Sequence, residues 1–220
     1  MWEATYEILS RELGKSIIET VEMMLISSIL SVVFGTLLGF VLYMTASEWF
    51  YKNKLLNNIL GSIINIIRSI PFIILIVFTL PLTFLITGTK IGPIAAAVPL
   101  SISAIAFLAR LVEGSLMEVD KGVLEAAFAQ GASNRLIVKD VLLVEAAPGI
   151  IRAVTVTFIS LIGFSAMAGM VGGGGIGNLA IQYGYYRYET GVMIFTIVFL
   201  VAVVQLAQIL GDYIAGKLTH

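Results

Sequence analysis

Cysteine is absent from this chain, and the single histidine is His220, the last residue. The first absence excludes disulfides, thiolate metal sites and cysteine nucleophiles. The second excludes histidine-based catalysis and multi-histidine metal sites. Charge is scarce as well: 12% of the 220 residues are charged, where ordinary soluble domains carry about 25%. A net charge of −1 gives no sign of a nucleic-acid partner. The N-terminus lacks a basic region, a short apolar core and a cleavage site in that order, so no cleavable signal peptide is expected.

What the chain has is apolar surface. It is 59% hydrophobic, more than a soluble domain of this size can hide, so the solvent must be lipid. A spanning helix needs about 20 mostly apolar residues. The sequence predicts five, at about 21–46, 56–86, 91–116, 150–173 and 191–216. Residues 56–116 also read as a helical hairpin, but both halves are long enough to cross, and Gly88, Lys90 and Gly92 interrupt the run.

Five spans place the two ends on opposite sides. Lys52, Lys54, Arg110, Lys121, Arg135, Lys139, Arg152 and Lys217 then fall on one side, and Arg11, Lys15, Lys90 and Arg187 on the other. The richer side is cytoplasmic by the positive-inside rule, so the N-terminus is expected outside and the C-terminus in the cytoplasm. Trp49, Phe50 and Tyr51 at one interface, and Tyr183, Tyr185, Tyr186 and Tyr188 at the other, suit aromatic belts.

The second span contains "NIIRSIPFIILIVF", residues 65–78, with an arginine and a proline three residues apart. Upstream, Asn58, Ser62, Asn65 and Ser69 recur at helical spacing as a narrow polar stripe ending beside Arg68. Two readings stay open. A straight helix over 56–86 is about 46 Å long against a hydrocarbon core of about 30 Å, so Arg68 can snorkel at the boundary. Alternatively the stripe lines a wet path or a helix contact. A charge at mid-depth costs at least about 2.5–3.5 kcal/mol and must face protein or water. Pro71 removes an N–H and frees the carbonyl of Ile67, which makes either a hinge or an ordinary membrane kink.

Between the third and fourth spans lies the largest piece expected in the cytoplasm, residues 118–150. "VLEAAFAQ" reads as a helix with Leu124, Ala127 and Phe128 on one apolar face. Gly131 then stops it, Ser-Asn restarts a helix, and Pro148 leads into span four. This helix pair is too small for a core of its own and should dock on something.

The segment "EAAFAQGASNRLIVKDVLLVEAAPG" resembles the EAA motif of ATP-binding cassette (ABC) importer permeases. That pattern runs Glu-Ala-Ala, three residues, Gly, nine residues, an aliphatic residue, one residue, then Leu-Pro. Glu125, Ala126, Ala127, Gly131, Val141 and Leu143 stand in those places, and Val144 stands where the family usually has proline. The resemblance implies that the loop, about 117–147, is the coupling helix that fits a groove on an ATPase subunit through Glu125, Ala126, Ala127, Phe128 and Gly131. Further stretches, "RSIPFIILIVFTLP", "GFSAMAGMVGGGGIG" and "QYGY", resemble the bacterial methionine-importer permeases, which also have five spans.

Gly172, Gly174 and Gly177 satisfy G-x-G-x-x-G, but they follow a membrane span rather than a strand, so no nucleotide site is expected. No G-x-x-x-x-G-K-[ST] is present, so ATP is not expected on this chain. Ser165, Gly169, Gly173 and Gly177 recur every four residues, and Gly35 and Gly39 repeat the spacing. Small residues so spaced allow close helix approach, within the chain or between copies, or mark a moving gate. Met167 and Met170 share the segment. From residues alone they read as lipid-facing or core; by resemblance, Met167 is a candidate gate. Gln205, Gln208 and Asp212 mark one face of span five, suited to interhelical bonding or pathway lining, and Arg110 and Glu113 are spaced for an ion pair.

Together the resemblances imply an all-α polytopic protein with five transmembrane helices and the type I ABC importer permease fold. Residues 1–220 form one permease domain of the bacterial inner membrane. Implied partners are a second copy of the chain, two ATPase subunits carrying ATP and Mg, and an extracytoplasmic methionine-binding protein or lipoprotein. The chain itself binds no cofactor or metal and is no enzyme. Candidate pathway residues are Met167, Met170, Ser165, Arg68, Asn65 and Pro71, and candidate packing residues Gly169, Gly173 and Gly177. The substrate implied is D- or L-methionine. Another amino acid or small solute, or an ATPase-independent channel or carrier, is the alternative. A membrane-embedded enzyme is disfavoured, because the intramembrane serines have no evident base.

Overall fold

The computed structural model describes residues 2–218, and His220 lies outside the described residues. Among the described residues every regular element is helical. Helix α1 is Trp2–Ala46, with one wide π-helical stretch at Ser31–Gly35. Then follow α2 (Lys54–Ser69), α3 (Phe72–Thr87), α4 (Pro93–Met117) and the short α5 (Lys121–Ala129). Helix α6 (Asn134–Gly173) is regular to Ala168, α7 begins at Gly175–Leu179 and continues through Ala180–Tyr185, and α8 is Thr190–Leu218.

Helix α4 is the axis of the bundle, and α1, α2, α3 and α6 all pack on it. Its sequence suits that place. Ala95, Ala96, Ala97, Ala104, Ala106 and Ala109 are buried and let neighbours come close. Gly39 of α1 sits so near that a Cβ there would lie 2.7 Å from the Ala109 carbonyl oxygen. Larger side chains fill the two ends: Met23, Leu75, Leu100 and Leu161 at one, and Leu108, Val112, Leu116, Ile137 and Leu142 at the other. Arg110 donates to Glu113 at 2.6 Å and to the Gly61 carbonyl at 2.9 Å, so the expected ion pair also ties α4 to α2.

The outer surface is apolar. Ile194, Ile197, Val198, Val201, Leu206, Ile209 and Leu210 of α8 are all exposed. Exposed patches of that extent are foreign to water-soluble monomers and suit hydrocarbon.

Among the described residues four helices are long and apolar enough to cross a bilayer singly, and the α2–α3 pair makes a fifth if taken as one broken span. The single straight span over 56–86 is therefore corrected: α2 and α3 are bent by 113°. Ile70 is extended and Pro71 opens α3, where its missing N–H would have no helical partner in any case. The Ile67 carbonyl is not left free, since the N–H of Ile70 reaches it at 3.3 Å. Arginine and proline thus belong to two helices. Arg68 lies in the last turn of α2, where the helix dipole favours a cation.

Two further boundaries move. Span four begins at Asn134 rather than near 150, because Pro148 is accommodated inside α6. Helix α1 runs unbroken from Trp2, about 68 Å in all, so its first half extends well past a hydrocarbon core of about 30 Å.

Candidate functional site

One end of the bundle carries α5. Asp120 caps it, its carboxylate accepting from the Gly122 N–H at 2.7 Å. Gly131 ends it with φ +77. The Gly131 N–H reaches the Phe128 carbonyl at 2.9 Å and the Ala132 N–H the Ala127 carbonyl at 3.2 Å. That pair of bonds is the glycine C-cap that the left-handed position allows. Leu124 is buried, and Ala127 and Phe128 pack on the same cluster. Phe128 stacks on Trp49 with centroids 5.3 Å apart and also meets Phe50 at 5.9 Å. The apolar face of α5 is thereby occupied by the chain's own loop. Trp49 stays 40% exposed beside this stack, and Tyr51 is exposed. A cleft of about 420 Å³ beside them is lined by Tyr43, Ser47, Glu48, Trp49, Met117, Lys121 and Leu124. Lys52 pairs with Glu48 and holds its carboxyl below the usual range. The opposite face of α5 presents Val123, Glu125, Ala126 and Ala129 outward.

The other end carries the glycines. Beyond Ala168 the backbone leaves helical geometry at Val171 (φ −111) and Gly172 (φ 90), and Gly174 and Gly175 also have positive φ. The chain folds back on itself before α7. Ser165, Gly169, Gly173 and Gly177 therefore do not share one helix face, which corrects the four-residue repeat. A Cβ on Gly177 would lie 2.3 Å from Ala166 Cα, and one on Gly169 2.5 Å from the Asn178 nitrogen. Gly173 meets the Ala168 carbonyl and Ala96. Ser165 is buried and donates to the Ile162 carbonyl at 2.8 Å.

Met167 and Met170 are 43% and 57% exposed. With Arg152, Val156 and Gly163 they form one outward face of α6 at helical spacing. At its far end lies a cleft of about 300 Å³ lined by Arg110, Ser115, Glu118 and Arg152. Asn65, Arg68 and Pro71 are exposed elsewhere, along α2 and at the bend. The Arg68 guanidinium lies 5.9 Å from the Phe107 ring centroid. Gln208 donates to Asp212 at 2.9 Å along its own helix.

The structure adds residues that the sequence did not single out. Asn57, not the stripe residue Asn58, reaches α1, donating to the Leu42 carbonyl at 2.9 Å and the Thr45 hydroxyl at 3.1 Å. Glu19 and Thr20 of α1 accept from the N–H groups of Gly175 and Ile176, at 2.7 and 2.9 Å. The one signal for Glu19 was an acid among Ile17, Ile18 and Val21 at the edge of an apolar run.

A family model described as binding-protein-dependent transport system inner membrane component matches residues 31–220. The chain belongs to that family. It is accordingly a multi-pass inner-membrane transport component. Among curated relatives, a probable D-methionine transport system permease protein of Vibrio cholerae is 45% identical over 92% of this chain and 90% of its own. A methionine import system permease protein of Bacillus subtilis is 44% identical over 80% of this chain and 79% of its own. The fold matches a chain of the MetNI methionine ABC transporter, in an inward-facing conformation, with TM-score 0.90, 44% identity and coverage of 94% and 96%. An amino acid ABC transporter solved with histidines shares the fold alone, at TM-score 0.73 and 20% identity over 92% of each chain.

Proposed function

We propose that this chain is the permease subunit of an ABC importer for methionine, that it works as a two-fold dimer, and that it does no bond chemistry itself. The observation that carries this reading is the likeness to the MetNI chain, 44% identical at TM-score 0.90 over nearly the whole length. Two ATPase subunits bind and hydrolyse ATP with Mg, and an extracytoplasmic binding protein delivers the substrate. The N-terminus lies outside and the C-terminus in the cytoplasm, in keeping with the lysine and arginine asymmetry.

Each surface has a task on this reading. The outward face of α5, with Glu125 and Ala126, seats on the ATPase. Ala127 and Phe128 fasten the helix from behind, and Gly131 sets the turn that aims it. When ATP closes the ATPase pair, α5 moves with it and carries the aromatic cluster of Trp49 and Phe50. Met167 and Met170 close the pathway by excluding water, and the outward face of α6 below them lines the route. The glycines Gly169, Gly173 and Gly177 with Ser165 keep the turn behind the methionines thin. Asn65 and Arg68, with Pro71 at the bend, face water or the second copy, because polar atoms are costly against lipid.

The test is to purify a tagged chain from its host in mild detergent and identify what accompanies it by mass spectrometry. An equimolar ATPase subunit is expected. A chain that is reproducibly alone, stable, and moves solute without ATP contradicts the proposal.

A further inference from the structure

Glu19 has no place in the scheme above, yet its carboxylate makes the contact on which the glycine turn rests. Its side chain is one-fifth exposed, with Lys15 at 3.7 Å. One oxygen accepts the Gly175 N–H at 2.7 Å, and the next residue's hydroxyl accepts the Ile176 N–H at 2.9 Å. These are two of the N–H groups that a helix start leaves without internal partners. A carboxylate there is also favoured by the helix dipole. Gly174 passes so close that a Cβ would lie 2.4 Å from Glu19 Oε2. Gly175 is as close to Thr20 Oγ1, at 2.6 Å. The positive φ values of Gly172, Gly174 and Gly175 leave the turn no regular secondary structure to fix it.

What the clasp holds is next to Met167. Helix α7 abuts α6 through Gly177 on Ala166 and Asn178 on Gly169, the residues that flank Met167 and Ala168. The path from α1 to the methionines is therefore Glu19 and Thr20, the start of α7, and the Ala166–Gly169 backbone.

We propose that Glu19, aided by Thr20, is a positioning residue for the gate: it clasps α7 to α1 and so holds Met167 in the closed arrangement. This rests on the reading of Met167 as the gate. Releasing the clasp frees α7 to move away from Ala166, and the gate opens without ATP.

The chain has no cysteine, so a single Met167→Cys reporter can be followed on this chain in the reconstituted permease–ATPase complex. A membrane-impermeant maleimide is applied from the binding-protein side without nucleotide. Adding Glu19→Ala should raise the labelling rate about tenfold or more, the effect of losing one charge-assisted hydrogen bond on an opening equilibrium. Glu19→Gln, which keeps an acceptor, should restore most of the protection, and Thr20→Val should give a smaller rise. These two carry the test if Glu19→Ala does not assemble. A role in folding alone lowers yield without changing the labelling of assembled complex. Labelling that responds to ATP but not to Glu19 or Thr20 overturns the clasp and spares the gate. Labelling of the Met167→Cys reporter that ignores ATP overturns the gate, and the clasp with it.

Discussion

Phe128 lies on Trp49 with their rings nearly parallel, 19° apart, so the helix that exposes Glu125 is fastened to the bundle through its opposite face. The contact joins α5 to the loop after α1. Phe50 in turn meets Tyr43 of α1 with ring centroids 6.1 Å apart, and the same helix carries Glu19 toward the glycine end of the bundle.

Loosening that stack should separate ATP hydrolysis from transport. An aromatic pair contributes about 0.5–1.5 kcal/mol beyond its buried area. Phe128→Ala, in a complex that still assembles, should keep ATPase activity and lose several-fold in substrate moved per ATP. The ratio of uptake to hydrolysis in liposomes measures this. An unchanged ratio would place the coupling path elsewhere.

Glu125 is exposed and makes no contact that the fold needs. Glu125→Lys should leave the thermal stability of the permease unchanged, within about 0.5 kcal/mol. It should weaken association with the ATPase at least tenfold if this face is the seat. Pull-down against a tagged ATPase reads the loss, and thermal unfolding of the permease is the control.

Close backbone approach makes Gly177 intolerant of a methyl group. A Cβ there lies 2.3 Å from Ala166 Cα, backbone rather than a yielding side chain. Gly177→Ala should cost about 1–3 kcal/mol or more. Gly14 has open space around it. Gly14→Ala should be neutral or slightly stabilising, by up to about 1 kcal/mol. Thermal unfolding in detergent compares the two, and equal midpoints would contradict the tight hairpin.

Glu113 is 6% exposed and relies on Arg110 for its counter-charge. Arg110→Met strands that carboxylate and should cost about 3–5 kcal/mol. Replacing Glu113 by Gln in the same chain should recover much of the loss. The same unfolding assay checks it.

The spans, the short helix stopped at Gly131 and the family were legible because each rests on a local pattern: long apolar runs, a glycine stop, a spaced motif. Leu124, Ala127 and Phe128 also read correctly as one apolar face, but sequence could not name Trp49 as the occupant, which comes from 79 positions earlier in the chain. The sequence places a kink or hinge at Pro71, but not its size of 113°, since hydropathy does not register direction. Gly169, Gly173 and Gly177 do make close approaches, but their four-residue spacing does not mark one helix face, for a related reason. Periodicity assumes a continuous helix, and the positive φ values at Gly172 and Gly174 break it. Glu19 has no stronger sequence signal because its partner is a backbone N–H group 156 residues away, and a backbone donor leaves no signature in side-chain chemistry.

The most direct test is uptake of labelled methionine into liposomes that hold this chain, its ATPase and ATP, with the binding protein outside. A methionine importer accumulates the label only when ATP is inside, and unlabelled methionine competes while unrelated amino acids do not. Uptake that needs no ATP, or that another amino acid outcompetes, would contradict the assignment.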